Sequence, residues 1–214
     1  PATLESIPAA VDALHRGEVI AVATDTIYGL AVDAANEEAV QKIYRIKGRD
    51  KQKPLAISVG SLTSVEEYGV TNVLPNDLLG QLLPGPVTVV LQRNLLCQRL
   101  SGSMTNDTIA LRIPNTKFMQ KLASDFGGAL ALTSANLSGE PSCRRIRDFE
   151  GLWKSIAVIL QDVEMENDAG RLTLGSTIID LSRAGEFRIL RKGEQDVVAH
   201  IQKLLIDRGL HESA

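Results

Sequence analysis

Between Arg45 and Lys53 the chain reads Arg-Ile-Lys-Gly-Arg-Asp-Lys-Gln-Lys, five cations and one anion in nine residues. Cations at a helix C-terminus complement its dipole, which is the bland use of such a run. Five like charges in so short a span also repel one another, and a polyanion relieves that repulsion. Phosphate, gripped by arginine forks and lysine point charges, has the matching chemistry. Charge alone leaves both uses open. Leu132–Gly139 (LTSANLSG) follows an apolar run with small hydroxyl and amide side chains and a glycine. That composition suits a turn cradling an anion or a plain Asx or Ser turn. Thr24–Leu30 (TDTIYGL) puts polar residues inside an extended apolar stretch, either a site at a sheet edge or a turn with a structural tyrosine. Arg112 and Arg191 each follow an apolar run; such an arginine faces solvent or, beside a pocket, holds a carboxylate or phosphate.

Several chemistries lack their signatures. No Walker A pattern, Gly-x-Gly-x-x-Gly or His-Glu-x-x-His occurs, so ATP use would proceed without a P-loop. The two cysteines, Cys97 and Cys143, and the three histidines, His15, His200 and His211, form no metal-ligand spacing, and no protein-held metal site is expected. A net charge of -3 gives no overall pull towards nucleic acid, and no apolar run reaches membrane-spanning length. Cysteine usage suits a reducing compartment. The expected location is the cytoplasm, or the mitochondrion if a leader preceded Pro1.

To position those clusters the chain offers alternating helical and extended patterns. Helices are predicted at Ile7–Arg16 with Gly17 as stop, from Asn36-Glu37-Glu38 to Gly48, and at Asn76–Leu83, Lys117–Asp125, Ile146–Lys154 and Gln195–Asp207. Asn115, after Pro114, is the predicted cap of the fourth. Strands are predicted at Glu18–Thr24, Leu55–Val59, Val87–Gln92, Ile109–Ile113, Ala129–Thr133, Ile156–Leu160, Thr177–Leu181 and Phe187–Leu190. Two polar stretches, Leu95–Asp107 and Gln161–Leu174, read as loops, the second either a solvated hairpin or a lid. Uneven strand spacing argues for an α/β domain with a mixed sheet rather than strict βαβ repeats. With 214 residues and 44% hydrophobic content, one domain over 1–214 can bury a core without disulfides. Aromatics make up only 4%, so that core must rest on Leu, Ile, Val and Ala.

Seven blocks together resemble the YrdC family, the threonylcarbamoyl-AMP synthases. They are Thr24–Leu30 (TDTIYGL), Lys47–Leu55 (KGRDKQKPL), Leu83–Val87 (LPGPV), Ala110–Pro114 (ALRIP), Leu132–Gly139 (LTSANLSG), Gly175–Leu181 (GSTIIDL) and Leu190–Gly193 (LRKG). They follow family order across nearly the whole chain, and their wording is closest to the animal members. The resemblance implies a single-domain form, with a core over about 7–193 and a C-terminal helix over about 195–207. Its fold would be a twisted, mostly parallel but mixed parallel/antiparallel sheet with flanking helices and a basic cavity.

The implied reaction joins L-threonine, bicarbonate and ATP into threonylcarbamoyl-AMP and pyrophosphate. The product would pass to the tRNA threonylcarbamoyltransferase machinery for N6-threonylcarbamoyladenosine formation. Carried over by position, Lys47, Arg49 and Lys53 would be catalytic through the triphosphate. Arg49, Lys53, Thr108, Ser134, Asn136, Ser142 and Arg191 would bind ATP. Thr26, Ser58, Arg112, Leu132 and Ser176 would bind threonine, with Arg112 on its carboxylate. Mg2+ would accompany ATP, held mostly by phosphates and water. The chain departs from the family at Ser58, where many relatives carry His, and at Pro141-Ser142-Cys143-Arg144, where Pro-Ser-Pro-Thr is usual. Two other readings remain: a double-stranded RNA-binding module using the same basic cavity, and a paralogue without synthase activity.

Overall fold

The computed structural model describes residues 2–101, 107–168 and 172–213. The strands are β1 (Ile20–Ala23), β2 (Tyr28–Asp33), β3 (Ala56–Ser58), β4 (Val87–Gln92), β5 (Thr108–Arg112), β6 (Leu130–Ser134), β7 (Val158–Leu160), β8 (Thr177–Asp180), β9 (Glu186–Arg191) and β10 (His211–Glu212). They form one sheet in the order β10-β9-β8-β4-β5-β3-β6-β2-β1-β7. Of the nine pairings among the described residues, five are antiparallel, so the sheet is mixed but not mostly parallel. The antiparallel excess comes from the run β3-β6-β2-β1 and from the β4–β5 and β8–β9 pairs.

The helices are α1 (Ile7–His15), α2 (Glu37–Lys47), α3 (Leu62–Tyr68), α4 (Leu78–Leu82), α5 (Lys117–Phe126), α6 (Val163–Asn167) and α7 (Gln195–Asp207). Local chemistry sets their ends. The Asn36 side chain accepts from Ala39 N at the start of α2, and Gly48 closes that helix in a left-handed conformation at φ 57°. Without a Cβ, glycine takes that conformation at no steric cost. At α5 the capping side chain is Thr116, which accepts from Met119 N, and not Asn115 as predicted. Thr116 is extended at φ -131°, the backbone geometry a cap needs. Ile146–Ser155 is a 3-10 segment broken at Phe149 rather than a continuous helix, because Phe149 turns into the core. α3 lay unmarked because only Val65 of its seven residues is buried, too little to register as a periodic face. The 161–174 stretch holds α6, capped by Asp162; its residues 169–171 lie outside the described residues, as do 102–106 of the other predicted loop.

Alternation through the strands builds two cores. Ala21, Leu30, Ile57, Val89, Leu111, Ala131 and Ile179 face α2 and α7 on one side. Ile20, Val22, Ala31, Leu130 and Leu132 face α1 and α5 on the other. The second pair of helices covers only the β7-β1-β2-β6 half of its face. Among the described residues no helix covers the β3-β5-β4-β8 half of that face, and its side chains line a hollow.

Replacing Thr116 with Ala removes the α5 cap and is expected to cost about 1 kcal/mol, whereas Asn115→Ala leaves stability unchanged. Urea unfolding of both variants checks this; equal effects would contradict the assignment of the cap.

Candidate functional site

The hollow is a cavity of about 580 Å³, within the range of small-molecule sites. Its floor comes from the uncovered half of the sheet: Thr88 and Val90 of β4, Ala110 and Arg112 of β5, and Ile178 of β8. These residues alternate with Val89, Leu111 and Ile179, which point into the opposite core. One wall is the loop after α2, with Arg49, Gln52, Lys53 and Pro54; the other walls carry Thr24, Ile27, Thr133, Ser134, Ser176 and Arg191.

Three local structures hold these walls. First, the basic loop is folded on itself: Arg49 Nε donates to Lys53 O at 3.1 Å, its Nη2 to Pro54 O at 3.1 Å, and Tyr44 Oη to Lys53 O at 3.2 Å. Arg49 is half-buried and Lys53 exposed, so both cations reach the cavity from its open side. Second, Lys47 lies beneath the cavity, 2% exposed, and its ammonium donates to the carbonyls of Ser134 and Asn136. In return Ser138 N donates to Lys47 O at 2.9 Å. This ammonium ties the C-terminus of α2 to the turn after β6. Burial first, and then the Arg49 charge, lower it to about 8. Third, Arg112 is buried and paired: its Nη2 donates to Asp25 Oδ1 and, at 2.9 Å, to Thr26 Oγ1. Its Nε and Asp25 Oδ2 are buried without partners among the described residues.

Arg191 completes the electrostatics. Its Nε and Nη2 donate to Ser176 O at 3.1 and 2.8 Å, and Nη2 also reaches Ser176 Oγ at 3.2 Å. Its pKa is lowered by burial first and then by the Arg112 and Arg49 charges, so two other guanidinium groups act on it across the cavity. An anion bound between them would relieve that repulsion.

Of the residues singled out in the sequence, Arg49, Lys53, Arg112, Leu132, Ser134, Ser176 and Arg191 line this cavity. Thr26 is buried behind it, against Arg112. Lys47 and Asn136 lie under its rim; Asn136 Nδ2 donates to Leu137 O and Glu140 O, and Oδ1 is buried without a partner among the described residues. Ser58 is fully buried, its hydroxyl without a partner among the described residues, beside Arg112 in the β3–β5 register. Thr108 shares the strand face of Ala110 and Arg112 but sits beyond the lining, opposite Gln92. Ser142 is exposed and lines a separate hollow with Arg144, Asp148 and Glu166.

Sequence reasoning missed Asp25 as the partner of Arg112, and Thr88. A polar residue flanked by valines in a buried strand was the available signal for Thr88. It also missed how Tyr28 is held: its hydroxyl donates to Glu166 Oε1 at 3.0 Å and accepts from Asp162 N at 2.8 Å. The start of α6 is thereby fixed to the cavity wall.

Because folding lowers the Lys47 ammonium to about 8 from 10.5, the unfolded chain binds more protons between those values. The contribution of this group to stability therefore rises with pH across that window. Wild-type protein is expected to gain stability relative to Lys47→Met between about pH 8 and about pH 10, measured by urea unfolding. A constant difference would show that the ammonium titrates as it does in the unfolded chain.

Comparison with known proteins agrees with this architecture. The family model Sua5_yciO_yrdC, described as "Telomere recombination", matches residues 12–193. Over 192 residues the chain is 43% identical to the threonylcarbamoyl-AMP synthase of Bos taurus, covering 88% of this chain and 68% of that protein. For the Homo sapiens protein of that name the identity is 42%, with 88% and 67% covered. The crystal structure of P. abyssi Sua5 complexed with L-threonine superposes with a TM-score of 0.78 at 26% identity, over 98% of this chain and 59% of that one. A family match running from α1 to the end of β9 takes in every strand that builds the cavity, and on that ground the chain belongs to the Sua5/YciO/YrdC family.

Proposed function

We propose that this chain is a threonylcarbamoyl-AMP synthase, converting L-threonine, bicarbonate and ATP into threonylcarbamoyl-AMP and pyrophosphate. The observation that carries the reading is the cavity's charge pattern. Arg49 and Lys53 border the cavity from the loop after α2, Arg112 sits on the strand floor beside Thr26, and Arg191 on the β9 wall feels the charge of Arg112 and of Arg49. The loop cations suit a triphosphate and the buried floor arginine an amino-acid carboxylate, with Arg191 between the two. The animal relatives that carry this name are 42–43% identical, and a related protein has been crystallised with L-threonine.

In this reading the threonine amine captures carbon dioxide or bicarbonate as a carbamate. A carbamate oxygen then attacks the α-phosphorus of ATP, and pyrophosphate leaves. The step asks the protein to align two anions and neutralise charge, without supplying a nucleophile of its own. Arg49 and Lys53 would hold the triphosphate from the open side, and Arg191 would meet it from the β9 wall. Arg112, held by Asp25 and Thr26, would take the threonine carboxylate. Lys47 would act through the turn it supports, keeping Ser134 at the cavity rim. Among the described residues no cluster of three His, Cys, Asp or Glu side chains could cage a metal. The Ser134 hydroxyl and the unpartnered Asn136 Oδ1 are oxygen donors of the kind Mg2+ takes, and they would supplement phosphates and water around it. Mg2+ would neutralise phosphate charge as pyrophosphate departs.

We further propose that the product is handed to a tRNA-modifying transferase, since a mixed carbamic–phosphoric anhydride is an activated acyl donor. The same basic rim is where RNA would contact the protein.

The primary test is pyrophosphate release with ATP and Mg2+, with and without threonine and bicarbonate. Release that needs both establishes the synthase; release independent of threonine refutes it. Arg49→Ala and Lys53→Ala should each raise the ATP KM about tenfold or more, as expected for losing a charged hydrogen bond. Lys53→Ala should leave the unfolding free energy within about 0.5 kcal/mol of wild type because that side chain is exposed, whereas Arg49→Ala should cost about 1 kcal/mol for its bonds to Lys53 O and Pro54 O, far short of unfolding the protein. Arg112→Lys should instead raise the threonine KM and leave the ATP KM near its wild-type value.

A further inference from the structure

We propose that Thr88 is a specificity residue that reads the side-chain hydroxyl of the amino-acid substrate; the assignment rests on the synthase reading above. Thr88 and Ser176 line the cavity and are 1% and 2% exposed. Their hydroxyl oxygens lie 2.7 Å apart, so one donates to the other. Arg191 Nη2 donates to Ser176 Oγ as well.

Counting protons gives the chemistry. Each hydroxyl has one hydrogen and can accept two. Accepting from the Arg191 guanidinium makes the Ser176 O–H the stronger donor, which favours Ser176 donating to Thr88 and leaves the Thr88 hydrogen to offer an oxygen in the cavity.

Register places that donor. The antiparallel pair Val89↔Leu111 makes Thr88 and Arg112 neighbours across β4 and β5, while the parallel ladder sets Thr88 against Ile178 of β8. Facing neighbours in a sheet are about 5 Å apart. The donor therefore lies one side chain from the guanidinium that would take the carboxylate. Around it the floor is apolar and small, made by Val90, Ala110 and Ile178. A β-hydroxy amino acid anchored on Arg112 can rest its methyl on that surface and turn its hydroxyl oxygen towards the Thr88–Ser176 pair. Valine has nearly the same shape but no oxygen there, and would leave a buried donor unmatched. Sites built to bond a substrate hydroxyl reject the analogue lacking it far more strongly than apolar pockets sort by size.

The test measures L-threonine and L-valine affinities by calorimetry for wild type, Thr88→Val and Thr88→Ser, with ATP affinity as a check that the cavity is intact. Thr88→Val should weaken threonine about tenfold to a hundredfold, the scale of losing one buried hydrogen bond, while changing valine less than about threefold. Thr88→Ser keeps the hydroxyl and should retain most of the preference. A threonine-to-valine ratio unchanged in Thr88→Val, or equal loss of both amino acids, overturns the assignment. Because affinities are read directly, this outcome is independent of pyrophosphate release, whose absence would instead overturn the synthase reading.

Discussion

Everything functional in this chain follows from a sheet that is fully covered on one face and half covered on the other. α1 and α5 bury the β7-β1-β2-β6 half of the second face, and no helix of the described residues covers the rest. An exposed sheet face must be polar or occupied, and here it is walled in by loops instead. The β5 position that would be an apolar core residue under a helix is Arg112, buried and held by Asp25 and Thr26. A buried guanidinium is tolerated only with partners, so the floor is set up for a negatively charged group as a consequence of its architecture.

Lys47 answers a second requirement, that a turn beside a charged ligand stay in place. The carbonyls of Ser134 and Asn136 point at one ammonium, which sits at the end of a helix whose own dipole favours a cation. Gly48 stops the helix at that point, and the chain leaves it as the loop carrying Arg49 and Lys53. One helix end thus organises two walls, the loop covalently and the post-β6 turn through Lys47. That division explains why cations so close in sequence lie in different surroundings. Lys47 is buried and structural in its contacts, Arg49 is half-buried, and Lys53 is exposed.

The far wall is fastened differently. Tyr28, at the start of β2, is buried against Phe149 and hydrogen-bonded to α6 through Glu166 and Asp162. Glu166 also accepts from Ile146 N and from Gln161 Nε2. At the other end Glu194 accepts from Thr173 N, Thr173 Oγ1 and Leu174 N, fixing the approach to Gly175 and Ser176. Segments with little apolar burial of their own are therefore held to the frame by carboxylates. This is why sequence patterning, which reads apolar periodicity, showed them only as polar loops.

Most of the elements were legible because burial on a regular element leaves a period. α7 occupies Gln195–Asp207 as predicted, and the Asn36 cap and Gly48 stop of α2 follow from side-chain chemistry that acts within one turn. Seven short blocks carried the family resemblance, and the chain's membership is consistent with it. What the sequence could not supply was which polar residues meet. Asp25 and Arg112 are 87 residues apart, and Thr88 and Ser176 are 88 apart; their pairing depends on strand order, which no local pattern encodes. For the same reason Lys47 reads in sequence as one of five similar cations, while only the folded chain places its ammonium under a turn 87 residues away. Residue types set which charges and hydroxyls were available. The crossing of β4, β5 and β8 decided which of them face one cavity, because contact between distant side chains is fixed by register and not by spacing along the chain.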